Sequence, residues 1–265
     1  MSIELKLQSL AGYRDHLASQ FKDRMANWTL QELSRDHLAD ILCIQLDGMD
    51  QGKYALPRDP ELRTSAAMSS VYRPRIKLHG VWCFGYTLQL FLLDEPTKHD
   101  SNCIQECLAR TLERVSQLCE EKGEQMPRNL SVWGDNTVRE LKNQHLLKYF
   151  SFLVAKTKFR STAMCNLRKS HSHDRIDQLW GIFARRVQLC QHLQTPEDIL
   201  ECLLDEVRKP SLQEWIGSEV QICRLNAVRS WSEHWAPAGM QYAGGLKEDA
   251  HANHCFLLSQ RRGQG

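Results

Sequence analysis

No segment of this 265-residue chain contains the ~18 consecutive apolar residues that a membrane-spanning helix needs. The longest candidate, 80–93, is short and divides more naturally into two strands. The opening MSIELKLQSL alternates charged and apolar residues, so it lacks the continuous apolar core of a secretory signal. Net charge is nearly absent as well. With 34 Lys and Arg against 32 Asp and Glu, the formal charge is +2, which neither demands nor excludes a nucleic-acid partner, because local patches outweigh the total. The chain has no Cys-x-x-Cys pair, no internal repeat, no low-complexity tract, and no zinc-finger or helix-turn-helix word for reading bases. These absences point to a soluble, intracellular protein, nuclear or cytoplasmic, without a membrane partner.

Cysteine is plentiful, at 10 residues, but it is not arranged as a disulfide framework. Cys43 and Cys83 sit inside apolar runs, and a chain of this length needs no staples. Cys103, Cys107 and Cys119 follow a helical pattern and are expected in the core rather than on zinc. His251, His254 and Cys255 would make half a zinc site with nothing nearby to complete it.

Periodicity places the elements. Tyr13, Leu17, Phe21 and Met25 recur at i,i+4 and predict an amphipathic helix, with a second short helix over 30–40. ILCIQLD (41–47) is a near-continuous apolar run ending in an acid, the pattern of a strand covered on both faces. Strands over 76–84 and 86–93 form an expected antiparallel hairpin turning near Gly85. A long helix begins at Asp100, Ser101 and Asn102 and stops near Gly123. NLSVWGD (129–135) is a fourth strand, 138–157 a helix, STAMCNL (161–167) a fifth strand, and 174–189 a helix. Thr195 and Pro196 open another helix, and EVQICRLNAV and NHCFLLSQ add strands around a Trp-rich loop. The order β-β-β-α-β-α-β-α implies an α/β fold: a mixed five-stranded sheet with helices on its faces. We expect one domain: an N-terminal helical segment (1–40) packed on a core (41–210), with a C-terminal strand extension (211–265).

Three acids stand at element ends. Asp47 closes the first strand, Asp135 closes the fourth, and Asp177 lies in the first turns of the helix after the fifth. In a sheet of this order the first and fourth strands are neighbours, so Asp47 and Asp135 would project side by side, with Asp177 brought over them. Crowded carboxylates repel unless a cation neutralises them, and hard oxygen donors suit Mg²⁺ or Mn²⁺. A second reading is structural. Asp is common where strands turn, Asp174 is a good helix N-cap, and Asp177 is a first-turn acid favoured by the helix dipole. Asp174 is also the substitute third ligand, one helical turn before Asp177.

The words DGMDQGKYALP (47–57), GDNTVRELKNQHLLKYFSFLV (134–154) and HSHDRIDQLW (171–180), with the aromatic-rich C-terminal segment, resemble an abundant eukaryotic family of transposase-derived proteins. That family has a ribonuclease H-like DDE/D transposase–integrase core, and the resemblance runs over roughly residues 10 to 260. It implies a ribonuclease H-like fold and two-metal phosphoryl transfer on DNA, cutting or joining strands, with Mg²⁺ or Mn²⁺ held by Asp47, Asp135 and Asp177. It further implies that His171 and His173 act beside the third acid, that Asn136 orients the second, and that Lys53 and Lys169 meet substrate phosphate. Arg168-Lys169-Ser170 departs from the apolar, glycine-containing approach to His171 that the family pattern carries. Met49 separates the chain from proofreading-type exonucleases, which place an Asp-x-Glu at the first strand.

Basic residues recur at Arg73, Arg75 and Lys77, at Lys156, Lys158 and Arg160, at Arg168 and Lys169, and at Arg185 and Arg186. Each group is either a solvated face or, if it borders the acids, part of a phosphate track. Two functional classes follow: a metal-dependent DNA-cleaving or joining enzyme, with DNA and a homo-oligomeric assembly as partners, or a decayed, domesticated core that binds nucleic acid or protein. A zinc-binding module is a weaker third.

Overall fold

A computed structural model describes residues 3–37, 39–49, 55–57, 72–94, 96–134, 143–166, 174–190, 192–235 and 255–259. The chain runs α1 (Ile3–Arg35), β1 (Ile41–Gly48), β2 (Lys77–Cys83), β3 (Thr87–Leu93), α2 (Ser101–Lys122), β4 (Asn129–Gly134), α3 (Gln144–Ala155), β5 (Ser161–Asn166), α4 (Arg175–Leu189), α5 (Pro196–Val207), α6 (Pro210–Ile216), β6 (Glu219–Leu225), α7 (Trp231–Trp235) and β7 (Cys255–Ser259). The fold is α/β. Its mixed sheet has seven strands in the order β6-β3-β2-β1-β4-β5-β7, not five. The five expected strands occupy the middle. The two C-terminal strands extend the same sheet, β6 beside β3 in parallel and β7 beside β5 antiparallel, so the two strands that would have been exposed edges are paired.

β1 is the axis of the sheet. It pairs antiparallel with β2, Asp47 lying opposite Gly80, and parallel with β4, from Ile41 opposite Asn129 to Gln45 opposite Trp133. Because strand side chains alternate, Leu42, Ile44 and Leu46 face one way, into a cluster with Ile104, Leu108 and Val115 of α2 and Phe150 of α3. Cys43 faces the other way, where Trp82, Phe84 and Leu90 meet Phe183 of α4, Leu203 of α5 and Ile216 of α6. Both faces are therefore buried, which explains the near-continuous apolar runs of the central strands.

The helix ends follow local chemistry. Asp100 caps α2 by accepting from the backbone N–H of Asn102 and Cys103, and Gly123 ends it in the left-handed region. Thr195 caps α5 and Pro196 opens it. Cys103, Cys107 and Cys119 are buried in the core. α3 begins later than the apolar pattern suggested, at Gln144 with Asn143 as its cap. The β2–β3 turn is at Gly85, whose φ of +81° suits glycine; a Cβ there would lie 2.8 Å from the Ser34 carbonyl oxygen.

Two expectations about the N-terminus are corrected. One 33-residue helix replaces the two predicted, since no helix breaker interrupts 13–35. Its apolar stripe does not pack on the core: Tyr13, Leu17, Phe21 and Met25 are exposed, Phe21 at 64%. The side facing the sheet is largely polar, with Gln20, Asn27, Gln31 and Ser34 buried and Leu30 packed against the core beside them. Ser34 Oγ donates to the Phe84 carbonyl and accepts from the Cys43 N–H. The periodicity was genuine, but hydrogen bonds decide which face of α1 docks.

The segment after β6 is fastened to α2 by Glu106, which is 2% exposed. Its carboxylate accepts from Arg229 Nε at 2.8 Å, Arg110 Nε at 2.8 Å and Trp231 Nε1 at 3.0 Å. Burial alone would raise its pKa, but these donors outweigh burial and lower it to about 2. The folded state thus keeps Glu106 ionised to lower pH than the unfolded chain does. Its contribution is full above the ordinary Glu pKa and fades as pH falls from there through about 2. Glu106→Gln is expected to lose about 1–3 kcal/mol at neutral pH. Urea midpoints for the two proteins should converge as the solution is acidified below pH ~4; a gap independent of pH would refute this account.

Candidate active-site edge

The C-terminal ends of β1, β4 and β5 lie at one edge of the sheet, because the three strands are parallel. Asp47 is at that edge, on the last turn of β1 before Gly48. Its Oδ2 accepts a hydrogen bond from the indole Nε1 of Trp180, at 3.0 Å. The side chain therefore points to the face covered by α4. Gly80, opposite Asp47, makes this contact possible: a Cβ there would lie 2.8 Å from the Trp180 ring. A glycine within a strand marks close approach of another element, and here that element is α4.

Asp177 lies on the first turn of α4, three residues before Trp180 and so on a neighbouring part of the helix surface. It forms a capping box with Asp174. The Asp174 side chain caps the helix start, its Oδ1 accepting from the Arg175 N–H at 2.7 Å, while Asp177 Oδ2 accepts from the Asp174 N–H at 3.0 Å. The structural reading of both acids is thus correct, and it does not disqualify Asp177 as a ligand, since a carboxylate has about four acceptor positions. Asp174 differs. It is 5% exposed, and its Oδ2 accepts from the side-chain amides of Asn27 and Gln31. It is the polar anchor to which α1 docks, and this argues against it as a substitute metal ligand.

Asp135 follows Gly134, the last residue of β4. Asp135, Asn136, Lys53, Lys169, His171 and His173 lie outside the described residues. Among the described residues, no group of three or more His, Cys, Asp or Glu is arranged to hold a metal ion, and none of the helices is long and apolar enough to cross a membrane.

Arg168 and Lys169 also lie outside the described residues, and among the described ones the basic groups do not form a single track. Lys156, Lys158 and Arg160 join α3 to the start of β5, at the edge of the sheet opposite Asp47. Arg73 donates to the carbonyls of Ala55 and Pro57 and Lys77 to that of Thr97. Arg186 lies 3.6 Å from Glu206, beside a cleft that Arg185 and Lys209 also line.

Sequence reasoning missed Trp180 and the Asn27–Gln31 pair, which bond across 133 to 147 residues of chain, and Gly80, against which the Trp180 ring packs. It also missed His79, which faces α2 from the other side of the sheet. Its Nδ1 is 3.2 Å from Nε2 of His99, and both rings lie against Gly48. Burial, reinforced by His99, holds the His79 pKa well below the ordinary value, so this imidazole is neutral. The only sequence signal for the first group was the isolated Gly80.

Replacing Asp174 by Ala removes the cap and leaves the Asn27 and Gln31 amides without their acceptor. The expected loss is about 2–4 kcal/mol, read as a lower urea midpoint, together with faster amide exchange in both α1 and the first turn of α4. A loss confined to α4 would show that α1 docks by other means.

No curated protein matches the chain. A family model described as a domain of unknown function, DUF7869, matches residues 67–245. That stretch runs from before β2 to beyond α7 and takes in Trp180, the capping box and both strands that flank β1, and it is more than half of the chain. The chain belongs to the DUF7869 family.

Proposed function

We propose that the protein has a ribonuclease H-like core of the transposase–integrase kind and carries out divalent-metal-dependent phosphoryl transfer on DNA, cutting or joining strands. The observation that carries this reading is the tie between Asp47, at the C-terminal end of the central strand, and Trp180, one turn past Asp177 on α4. Strand order supports it. β3-β2-β1-β4-β5, with the first three antiparallel and the last three parallel, is the arrangement the resemblance implies, and it brings the ends of β1 and β4 to one edge.

The donor set fits Mg²⁺ or Mn²⁺, since hard carboxylate oxygens are what these ions take. Asp47, Asp135 and Asp177 would hold the ions. Bound there, the ions would supply an activated water or 3′-hydroxyl and stabilise the leaving oxygen. The chain's own contribution is orientation. Trp180 fixes the Asp47 carboxylate through its indole N–H, and the capping box fixes Asp177. Supporting hydrogen bonds of this kind set the direction of a ligand's lone pairs.

A second reading, a domesticated core that only binds nucleic acid or protein, draws on two observations. Asp177 already has a structural role in the capping box, and Arg73 and Lys77 donate to backbone carbonyls.

The full chain, incubated with supercoiled DNA and Mg²⁺ or Mn²⁺, is expected to yield nicked circles. Asp47→Ala should reduce nicking to background while lowering the urea midpoint by no more than the loss of its hydrogen bond with Trp180 accounts for, about 1–3 kcal/mol, and Trp180→Phe should slow nicking about 10-fold. Full nicking by Asp47→Ala would overturn the site. DNA binding without any metal-dependent product would favour the second reading. Binding to DNA should be weak, indifferent to sequence and steeply salt-dependent. Lys156→Glu with Lys158→Glu should leave the nicking rate unchanged, because those side chains lie at the far edge of the sheet.

A further inference from the structure

Two pairs of cysteines come together although their spacing in sequence gives no hint of it. Cys165, the fifth residue of β5, and Cys255, the first of β7, are direct partners in the antiparallel ladder. Their Sγ atoms are 2.7 Å apart. Directly opposed residues of antiparallel strands have Cα atoms about 4.5–5.5 Å apart, within the range a disulfide accepts. Cys190, at the C-terminal cap of α4, meets Cys202 of α5, also with Sγ atoms 2.7 Å apart. All four are free thiols.

We propose that Cys165 and Cys255 form a reversible thiol–disulfide site that fastens β7 to the edge of the sheet, with a low-molecular-weight disulfide as the oxidant. The Cys255 thiolate attacks one sulfur of RSSR. A Cys255–SR bond forms, and RS⁻ leaves with the electron pair and takes up a proton. Cys165, giving its proton to solvent, then attacks the Cys255 sulfur and displaces the second RS⁻. Two protein thiols are oxidised to one disulfide, and RSSR is reduced to two RSH.

Access and thiolate content favour this pair over the other. Cys255 is exposed and Cys165 is buried, so the reagent enters at Cys255 and the inner thiol resolves. The hydrogen bond from Cys165 outweighs burial and lowers the Cys255 thiol to about 7, while the same bond, with burial, raises Cys165, so Cys255 is the attacking sulfur. In the second pair neither thiol is exposed: Cys190 is half-buried and Cys202 buried, and burial, aided by the hydrogen bond with Cys190, raises Cys202 to about 12. A thiolate-rich, accessible sulfur attacks faster than a buried thiol.

The consequence lies at the sheet edge. β7 has five residues and adds to the sheet only along β5. When reduced, it is held by that ladder and by Phe256 and Leu258 packing against the core. When oxidised, it is covalently closed over an edge that would otherwise be open to pairing. The link is also one residue before Asn166, the end of β5, from which the chain leads to Asp174 and α4. The proposal does not depend on the phosphoryl-transfer reading.

The reduced full chain should be exposed to glutathione disulfide at neutral pH, quenched in acid, cut with trypsin and weighed. Residues 161–168 and 248–261 are separate tryptic peptides with one cysteine each, whereas 187–208 carries both Cys190 and Cys202. We expect a linked 161–168/248–261 product, about 2 Da lighter than the two thiol peptides together. It should form at least about 10-fold faster than the ~2 Da loss within 187–208. Amide exchange across 255–259 should slow in the oxidised protein, and Cys255→Ser and Cys165→Ser should each abolish the product. Oxidation of 187–208 first, a stable glutathione adduct on Cys255 that never passes to Cys165, or a link that leaves exchange in β7 unchanged would each overturn the proposal.

Discussion

The pairing of β1 with β2 on one side and β4 on the other sets the position of every other element. β1 is the central strand, joining the antiparallel β3-β2-β1 run to the parallel β1-β4-β5 run. Its two faces belong to two different cores, one closed by α2 and α3 and the other by α4, α5 and α6. A strand buried on both sides cannot slip by one residue without exchanging its two sets of side chains. The register of Leu42, Ile44 and Leu46 against α2 therefore also fixes Asp47 on the α4 side, at the end where β1 leaves the sheet.

The docking of α1 rests on different physics. Beside the packing of Leu30 on the core, its contact with the body uses buried hydrogen bonds where a helix usually relies on apolar burial. Asn27 and Gln31 donate to the buried Asp174 carboxylate, and Ser34 bridges Phe84 and Cys43. Neutral donors suit such a site, because bringing a cation in as well would add its own desolvation cost. The charge on Asp174 is felt nearby: the Cys43 thiol is pushed up by burial and, to a lesser degree, by this carboxylate. The polar contact requires complementary geometry, so it orients α1 on α4. The same arrangement leaves the apolar stripe of α1 facing outward.

The ionised groups are distributed by the same logic of satisfied partners. Glu106 gathers Arg110, Arg229 and Trp231 and holds the chain after β6 against α2. Arg114 pairs with Glu219 at the start of β6, and Arg224 with Asp94 at its end. These contacts join the C-terminal extension to the antiparallel half of the sheet. These charged side chains are local ties between segments, and counting basic residues therefore does not locate a phosphate track.

Sequence alone determined the elements whose signals are local. The apolar runs of 41–47, 86–93 and 129–134 have the composition of doubly covered strands. Asp100, Gly123, Thr195 and Pro196 mark helix ends through hydrogen bonds and dihedral preferences that reach only a few residues. The adjacency of β1 and β4 was legible from element order, and Asp47 from its place at a strand end. Tertiary structure decided what depends on contacts between distant residues. It turned the polar side of α1 inward, because the acceptor at Asp174 is 147 residues from Asn27. It placed β6 and β7 at opposite edges of one sheet, brought Trp180 to Asp47 over Gly80, and moved Lys156 and Lys158 to the edge away from that acid. Periodicity records that a face is apolar or polar; which surface it meets is set by the partner, and that partner is far away in the chain.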